Sequence, residues 1–159
     1  TACDANDALG CAQLGRATEN GVGMEKNEDK AVPLYDKACR LGSGDGCTLL
    51  ADALWRGVKS LPKDRSKSVA LYQQGCTLGD AGACLSAGRL IARGDNVKKD
   101  EGKGAALFLK SCDGGDPRGC EDLADAYKDG RGVAKDITKA QQFYDRACAQ
   151  GLDEKRCRK

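Results

Sequence analysis

Ten cysteines are the most reactive side chains of this 159-residue chain, and their spacing is regular. Cys3 and Cys11, Cys39 and Cys47, Cys76 and Cys84, and Cys112 and Cys120 are each separated by seven residues, and Cys148 and Cys157 by eight. A structural zinc site calls for CxxC or Cys/His clusters, and the chain has neither CxxC nor histidine. Evenly repeated pairs point instead to disulfides formed in an oxidising compartment, secreted or periplasmic. A reduced chain with buried thiols is the alternative. No leader peptide is visible, so one is expected to have been removed or to lie outside this sequence.

Other chemistry finds little support. Without histidine there is no Ser-His-Asp triad, no Cys-His dyad and no haem attachment. There is no P-loop. The carboxylates are spread over helix caps and exposed faces, and no pair stands out as an acid/base couple. Asp95, Asn96, Asp100 and Glu101 do not have EF-hand spacing, and a solvated turn followed by a cap is the expected role. No metal or cofactor is expected. Ser60-Leu-Pro-Lys63 matches the S-x-x-K string of serine β-lactamases. It lies in a loop before a cap, however, and S-D-N and K-T-G are lacking, so it is read as a chance match. No catalytic residue is assigned.

The elements that position the cysteines follow from an internal repeat. The first cysteines of the pairs, Cys3, Cys39, Cys76, Cys112 and Cys148, are 36, 37, 36 and 36 residues apart. One extra residue in Gly57-Val-Lys-Ser-Leu-Pro-Lys-Asp64 accounts for the long step. In phase with the cysteines stand Asn27, Asp64, Asp100 and Asp136, then Lys30, Lys67, Lys103 and Lys139, then Tyr35, Tyr72, Phe108 and Tyr144. Gly42, Gly79, Gly115 and Gly151 follow the first cysteines.

Each unit reads as two helices. The Asn/Asp series supplies N-caps. Ser68, Leu71, Tyr72, Gly75 and Cys76 lie on one face of a first helix. The glycine after the cysteine ends that helix in the left-handed conformation. Pro33 lies inside one first helix and is expected to bend or delay it. The second helix starts near the second cysteine and stops at Gly21, Gly57, Gly94 or Gly130. The expected fold is all-α, an α/α superhelical solenoid in one repeat domain, 1–159. Its units are 27–63, 64–99 and 100–135, with partial repeats 1–26 and 136–159, either natural caps or trimmed ends. The expected bridges are Cys3–Cys11, Cys39–Cys47, Cys76–Cys84, Cys112–Cys120 and Cys148–Cys157, each closing a turn between helices. A bridge over so short a loop removes about 2.5 kcal/mol of unfolded-chain entropy. That matters here, because aromatic residues make up only 4% of the chain and each layer buries mostly small side chains.

Lys plus Arg is 26 and Asp plus Glu is 24, a net charge of +2. That balance argues against a nucleic-acid partner, and no apolar run approaches the length needed to span a bilayer.

Ala140, Tyr144, Ala147 and Gly151, with Ala124, Tyr127, Gly130, Gly132, Val133 and Asp136, resemble the Sel-one-like repeat family, relatives of tetratricopeptide repeats. The resemblance covers essentially the whole chain. Its C-x7-C pairs are similar to the cysteine-rich, secreted members described from Helicobacter. Departures are the loop Gly57-Val58 and Leu90-Ile91 in place of tyrosine. The resemblance implies a bacterial, exported, monomeric scaffold that binds a protein or peptide along a concave helical face. The alternative it implies is a protein binding β-lactams or cell-wall fragments, with weak β-lactamase activity. On the binding face the first helices would present Lys37, Arg40, Gln74, Lys110 and Arg146, a mildly basic groove suited to acidic groups. Ladder lysines pairing with neighbouring carboxylates are the plainer reading. Trp55, the one tryptophan, stands where other units have Glu19, Ala92 and Lys128. It is either a ligand anchor or packed on Leu61 and Pro62.

Overall fold

The computed structural model describes residues 2–153 and 157. It contains eight helices among them, each of 13 residues. These are α1 (Ala8–Asn20), α2 (Glu28–Arg40), α3 (Gly44–Arg56), α4 (Arg65–Thr77), α5 (Ala81–Arg93), α6 (Glu101–Asp113), α7 (Pro117–Asp129) and α8 (Ile137–Ala149). The chain forms two compact units, Thr1–Leu78 with α1 to α4 and Gly79–Lys159 with α5 to α8. In the first unit consecutive helices pack antiparallel as hairpins, and α1 also touches α3. The second unit repeats this, with α5 also touching α7. The odd helices of a unit therefore share one side of it.

Every helix start has a side-chain cap. Asn27, Asp64, Asp100 and Asp136 accept from the backbone N–H three residues on, at 2.8–2.9 Å. The odd helices use Asp7, Ser43, Asp80 and Asp116, a second set that the sequence pattern did not bring forward. With these caps, α3, α5 and α7 begin three residues before their cysteine. Cys47, Cys84 and Cys120 therefore sit in the first turn of one helix, and Cys39, Cys76 and Cys112 in the last turn of the helix before. Between them Gly115, at φ 91°, makes the left-handed step that reverses the chain.

The disulfides follow from that turn. Cα separations are 4.3 Å for Cys3–Cys11, 4.4 Å for Cys39–Cys47, 4.5 Å for Cys112–Cys120 and 5.7 Å for Cys148–Cys157, whose turn has one more residue. Cys76 and Cys84 are disulfide-bonded as well. Pro33 does not delay its helix: α2 starts in the same register as α4, α6 and α8. Left-handed glycines recur in the longer loops at Gly21 and Gly23 and at Gly130 and Gly132. Between α5 and α6 the second of these places is held by Asn96, at φ 60°, asparagine being the commonest substitute for glycine there. The loop with the extra residue is different: Val58 and Leu61 exchange backbone bonds of 2.9 and 3.0 Å.

The cores are thin. In the first unit Ala31, Tyr35, Leu50 and Leu54 form one cluster. In the second, Leu85, Ala105, Phe108, Leu123 and Ala126 form the counterpart. Cys112 and Cys120 add a further cluster with Ala147 and Leu152, so cystine sulfur takes the place of a large side chain. Tyr127 and Phe143 stack at 5.7 Å beside it.

Candidate functional site

The side chains expected on the binding face sit on the even helices, and three, Lys37, Arg40 and Arg146, are engaged within the molecule. Lys37 Nζ donates to the Cys3 carbonyl at 2.7 Å. Arg146 donates to the Cys112 carbonyl at 3.3 Å and pairs with Asp113 at 2.8 Å. Each cation thus ties one layer to the turn of the layer before. Arg40 pairs with Asp36 one helical turn away, at 2.8 Å. Gln74 and Lys110 are exposed. In the ladder, Lys139 lies 5.4 Å over the Tyr127 ring and 3.9 Å from Asp136. Trp55 is half-buried, with the Arg65 guanidinium 4.8 Å above its ring.

A second set of polar residues converges on the odd-helix side. In the first unit Arg16 of α1 pairs with Asp45 of α3, and Arg56 of α3 reaches back to Glu19 of α1 at 2.5 Å. The Tyr35 hydroxyl donates to Glu19 at 2.5 Å, and the Tyr72 hydroxyl donates to Asp52. In the second unit Arg89 grips Asp122 with two nitrogens, at 2.5 and 3.2 Å, and Tyr144 donates to Asp125. Phe108 stands in the tyrosine series where α5 offers Arg89 and Ala92, an acid at neither place. Arg16, Asp52, Arg89 and Asp125 occupy one register position with alternating sign. A search for like residues in phase passes over such a series, although the alternation itself is visible in the sequence.

These pairs wall two homologous recesses. One, of about 260 Å³, lies among Glu19, Leu49, Asp52, Trp55 and Arg56. The other, of about 250 Å³, lies among Arg89, Phe108, Asp122, Asp125 and Arg131.

Electrostatics within the first recess pull in opposite directions. Burial would raise the Glu19 carboxyl, but the bonds from Tyr35 and Arg56 outweigh it and hold the group below its ordinary value. At Asp52 burial dominates the bond from Tyr72, and the carboxyl is raised. Burial, then the bonded carboxylate, pushes the Tyr35 and Tyr72 phenols up, and the same holds for Tyr144 in the second unit. The signs give a prediction. Glu19 stabilises the fold above its unfolded value, and this is lost as pH falls through the depressed folded value. Asp52 does the reverse: as pH rises past its unfolded value, ionisation lowers stability. Glu19→Gln should therefore lower Tm at pH 7 and converge with wild type in acid. Asp52→Asn should lose less at pH 7 than in acid. Melting curves between pH 3 and 8 check this, and parallel curves for the two variants would contradict it.

Ser60, of the S-x-x-K string, faces Asp29. Its backbone N–H donates to the Asp29 carboxylate at 2.7 Å, and Ser60 and Lys63 are both exposed in the loop before α4. No group of His, Cys, Asp and Glu among the described residues could hold a metal ion.

Residues 8–43, 44–80, 81–116 and 117–152 each match the model of the Sel1 repeat, nearly the whole chain. The chain belongs to the Sel1 repeat family. Each matched Sel1 repeat pairs an odd helix with the even helix after it, so Cys39 and Cys47 join one repeat to the next. No curated protein sequence matches the chain significantly. Among solved structures, a Sel1 repeat protein from Oxalobacter formigenes is 25% identical, with a TM-score of 0.84, covering 92% of this chain and 58% of that one. The protective antigen c5321 of uropathogenic Escherichia coli, which displays the same fold, is 24% identical, with a TM-score of 0.86, covering 95% of this chain and 32% of that one. The chain thus spans about 58% and 32% of these two Sel1-type proteins. Helicobacter pylori cysteine rich protein B is 29% identical, with a TM-score of 0.63, covering 80% of this chain and 92% of that one. The fold class is accordingly the all-α solenoid of Sel1 repeats with about one disulfide per repeat. Sel1 repeat proteins generally mediate protein–protein interactions. The cysteine pairs and the likeness to the Helicobacter protein point to an oxidising environment. No helix among the described residues is long and apolar enough to cross a membrane.

Proposed function

We propose that this Sel1 repeat chain is a secreted or periplasmic scaffold that holds a protein or peptide partner on the odd-helix side of its units. The observation that carries the reading is the pair of homologous recesses, each with an aromatic side chain among walls of fixed charge. Recognition needs such preorganised polar groups around an apolar contact. The ion pairs are formed before any partner arrives, so ordering them costs binding little. Trp55, in the first recess, is the contact with the largest apolar surface and the natural anchor.

The test is capture of a partner from an extracytoplasmic fraction by the disulfide-intact chain, with variants on both helix sets. Trp55→Ala and Arg89→Ala should abolish stoichiometric capture, while Gln74→Ala and Lys110→Ala should leave it intact. The opposite pattern would move the contact surface to the even helices, where Arg40, Gln74 and Lys110 are the candidates. Failure to capture any stoichiometric protein would overturn the reading.

A further inference from the structure

We propose that Trp55 and the basic loop after it form a docking site for an acidic peptide segment of the partner, anchored by one apolar side chain. This rests on the scaffold reading above and names the chemistry of its ligand. Packing in a repeat protein dictates the same residue types layer after layer. Positions that break the series without a packing gain therefore point to function. Three such departures meet in the second hairpin of the first unit: the one tryptophan, the extra loop residue, and Arg65.

Arg65 is the most telling. In two other layers a lysine before the even helix is neutralised by a glutamate at its first position, Lys26 with Glu28 at 3.4 Å and Lys99 with Glu101 at 2.7 Å. The same two places here hold Lys63 and Arg65. An acid is favoured at a helix start, where the unbonded N–H groups carry positive partial charge. Arg65 sets a cation there, beside another cation. Lys59, Lys63, Arg65 and Lys67 are all exposed. Of the nearby carboxylates, Asp64 caps the Lys67 N–H at 2.9 Å, and Asp29 accepts the Ser60 N–H at 2.7 Å and feels the charge of Lys59 but not that of Lys63 or Arg65.

The loop is also held in shape by the Val58–Leu61 bridge. Arg65 lies over the Trp55 ring, joining the basic loop to the recess of Leu49 and Trp55. Within that recess Arg56 and Tyr72 already hold Glu19 and Asp52, which leaves the loop cations to attract an incoming acidic chain.

Trp55 reports on its own site, because its emission is the only tryptophan signal. The probe is a synthetic Glu- and Asp-rich peptide carrying one phenylalanine, titrated at low salt against the disulfide-intact protein. A saturable change in emission is expected. Arg65→Glu restores the acid that two other layers carry there, so its Tm should hold or rise while its affinity falls roughly tenfold or more. Lys99→Glu, in the other unit, should leave affinity unchanged. No emission change, an Arg65→Glu affinity equal to wild type, or a response to heparin or phosphatidylglycerol vesicles but not to the peptide would overturn the proposal. If Arg65→Glu captures the partner undiminished, the docking site falls and the scaffold reading stands. If the peptide binds as expected but no partner is ever captured, the site stands and the scaffold reading falls.

Discussion

Reduction of the disulfides is expected to unfold the protein at 37 °C. Each short loop closed by a bridge removes about 2.5 kcal/mol of entropy from the unfolded chain. Five such pairs together rival the whole stability of an ordinary domain, about 5–15 kcal/mol. Little else is available to replace them. The largest fully buried side chains are Tyr35 and Val69, followed by four cysteines and two serines. The sulfur is itself core material: Cys11, Cys47, Cys112 and Cys120 are all at 0% exposure. Reduction should therefore be graded by access. Cys148–Cys157, with Cys157 exposed, should open first and cost little helix. The buried bridges should resist until the chain unfolds. Far-UV circular dichroism during a phosphine titration, with alkylated thiols located by mass spectrometry, checks both parts. Retention of full helicity in the ten-thiol form at 37 °C would refute the argument.

Gly119→Ala should destabilise the protein by about 2–3 kcal/mol, against the usual effect of that change. Within a helix, alanine normally gains about 1 kcal/mol over glycine. Here a Cβ at 119 would lie 2.5 Å from the Ser111 side chain and 2.7 Å from the Cys112 backbone nitrogen. Overpacking of this kind costs about 1–3 kcal/mol even where neighbours can shift, and the Cys112–Cys120 bridge at the next residue prevents the two helices from parting. Gly46 is its counterpart in the first unit, 2.6 Å from Ala38 Cβ and 2.9 Å from the Cys39 nitrogen. Urea denaturation should show both losses. Ala38→Gly added to Gly46→Ala should recover part of the deficit by making room, but not all, because the backbone contact remains. A neutral Gly119→Ala would mean that the hairpin is looser than its bridge implies.

The two predictions share a cause that was partly legible beforehand. Cysteine spacing marked every turn, and the glycines after Cys39, Cys76, Cys112 and Cys148 marked where the chain reverses. The caps of the even helices were visible because Asn27, Asp64, Asp100 and Asp136 recur in one phase. The caps of the odd helices were less so, because Ser43 breaks the series Asp7, Asp80 and Asp116 and the turns before them are short. The glycines at 46 and 119 matter for their lack of a side chain rather than their backbone angles, and only the distance between facing helices reveals that.

Periodicity alone established the helical hairpins, their register and the bridged turns. Those features depend on contacts between residues close in the chain, which a repeat of about 36 residues spells out. The partners of each charge were decided by the packed structure. Lys37 and Arg146 bind carbonyls a full layer back, Glu19 gathers Tyr35 and Arg56 from two different helices, and Arg65 covers Trp55. A side chain finds its partner by which helix face it shares and how closely the helices approach. Neither is written in local spacing; both follow from how successive layers stack.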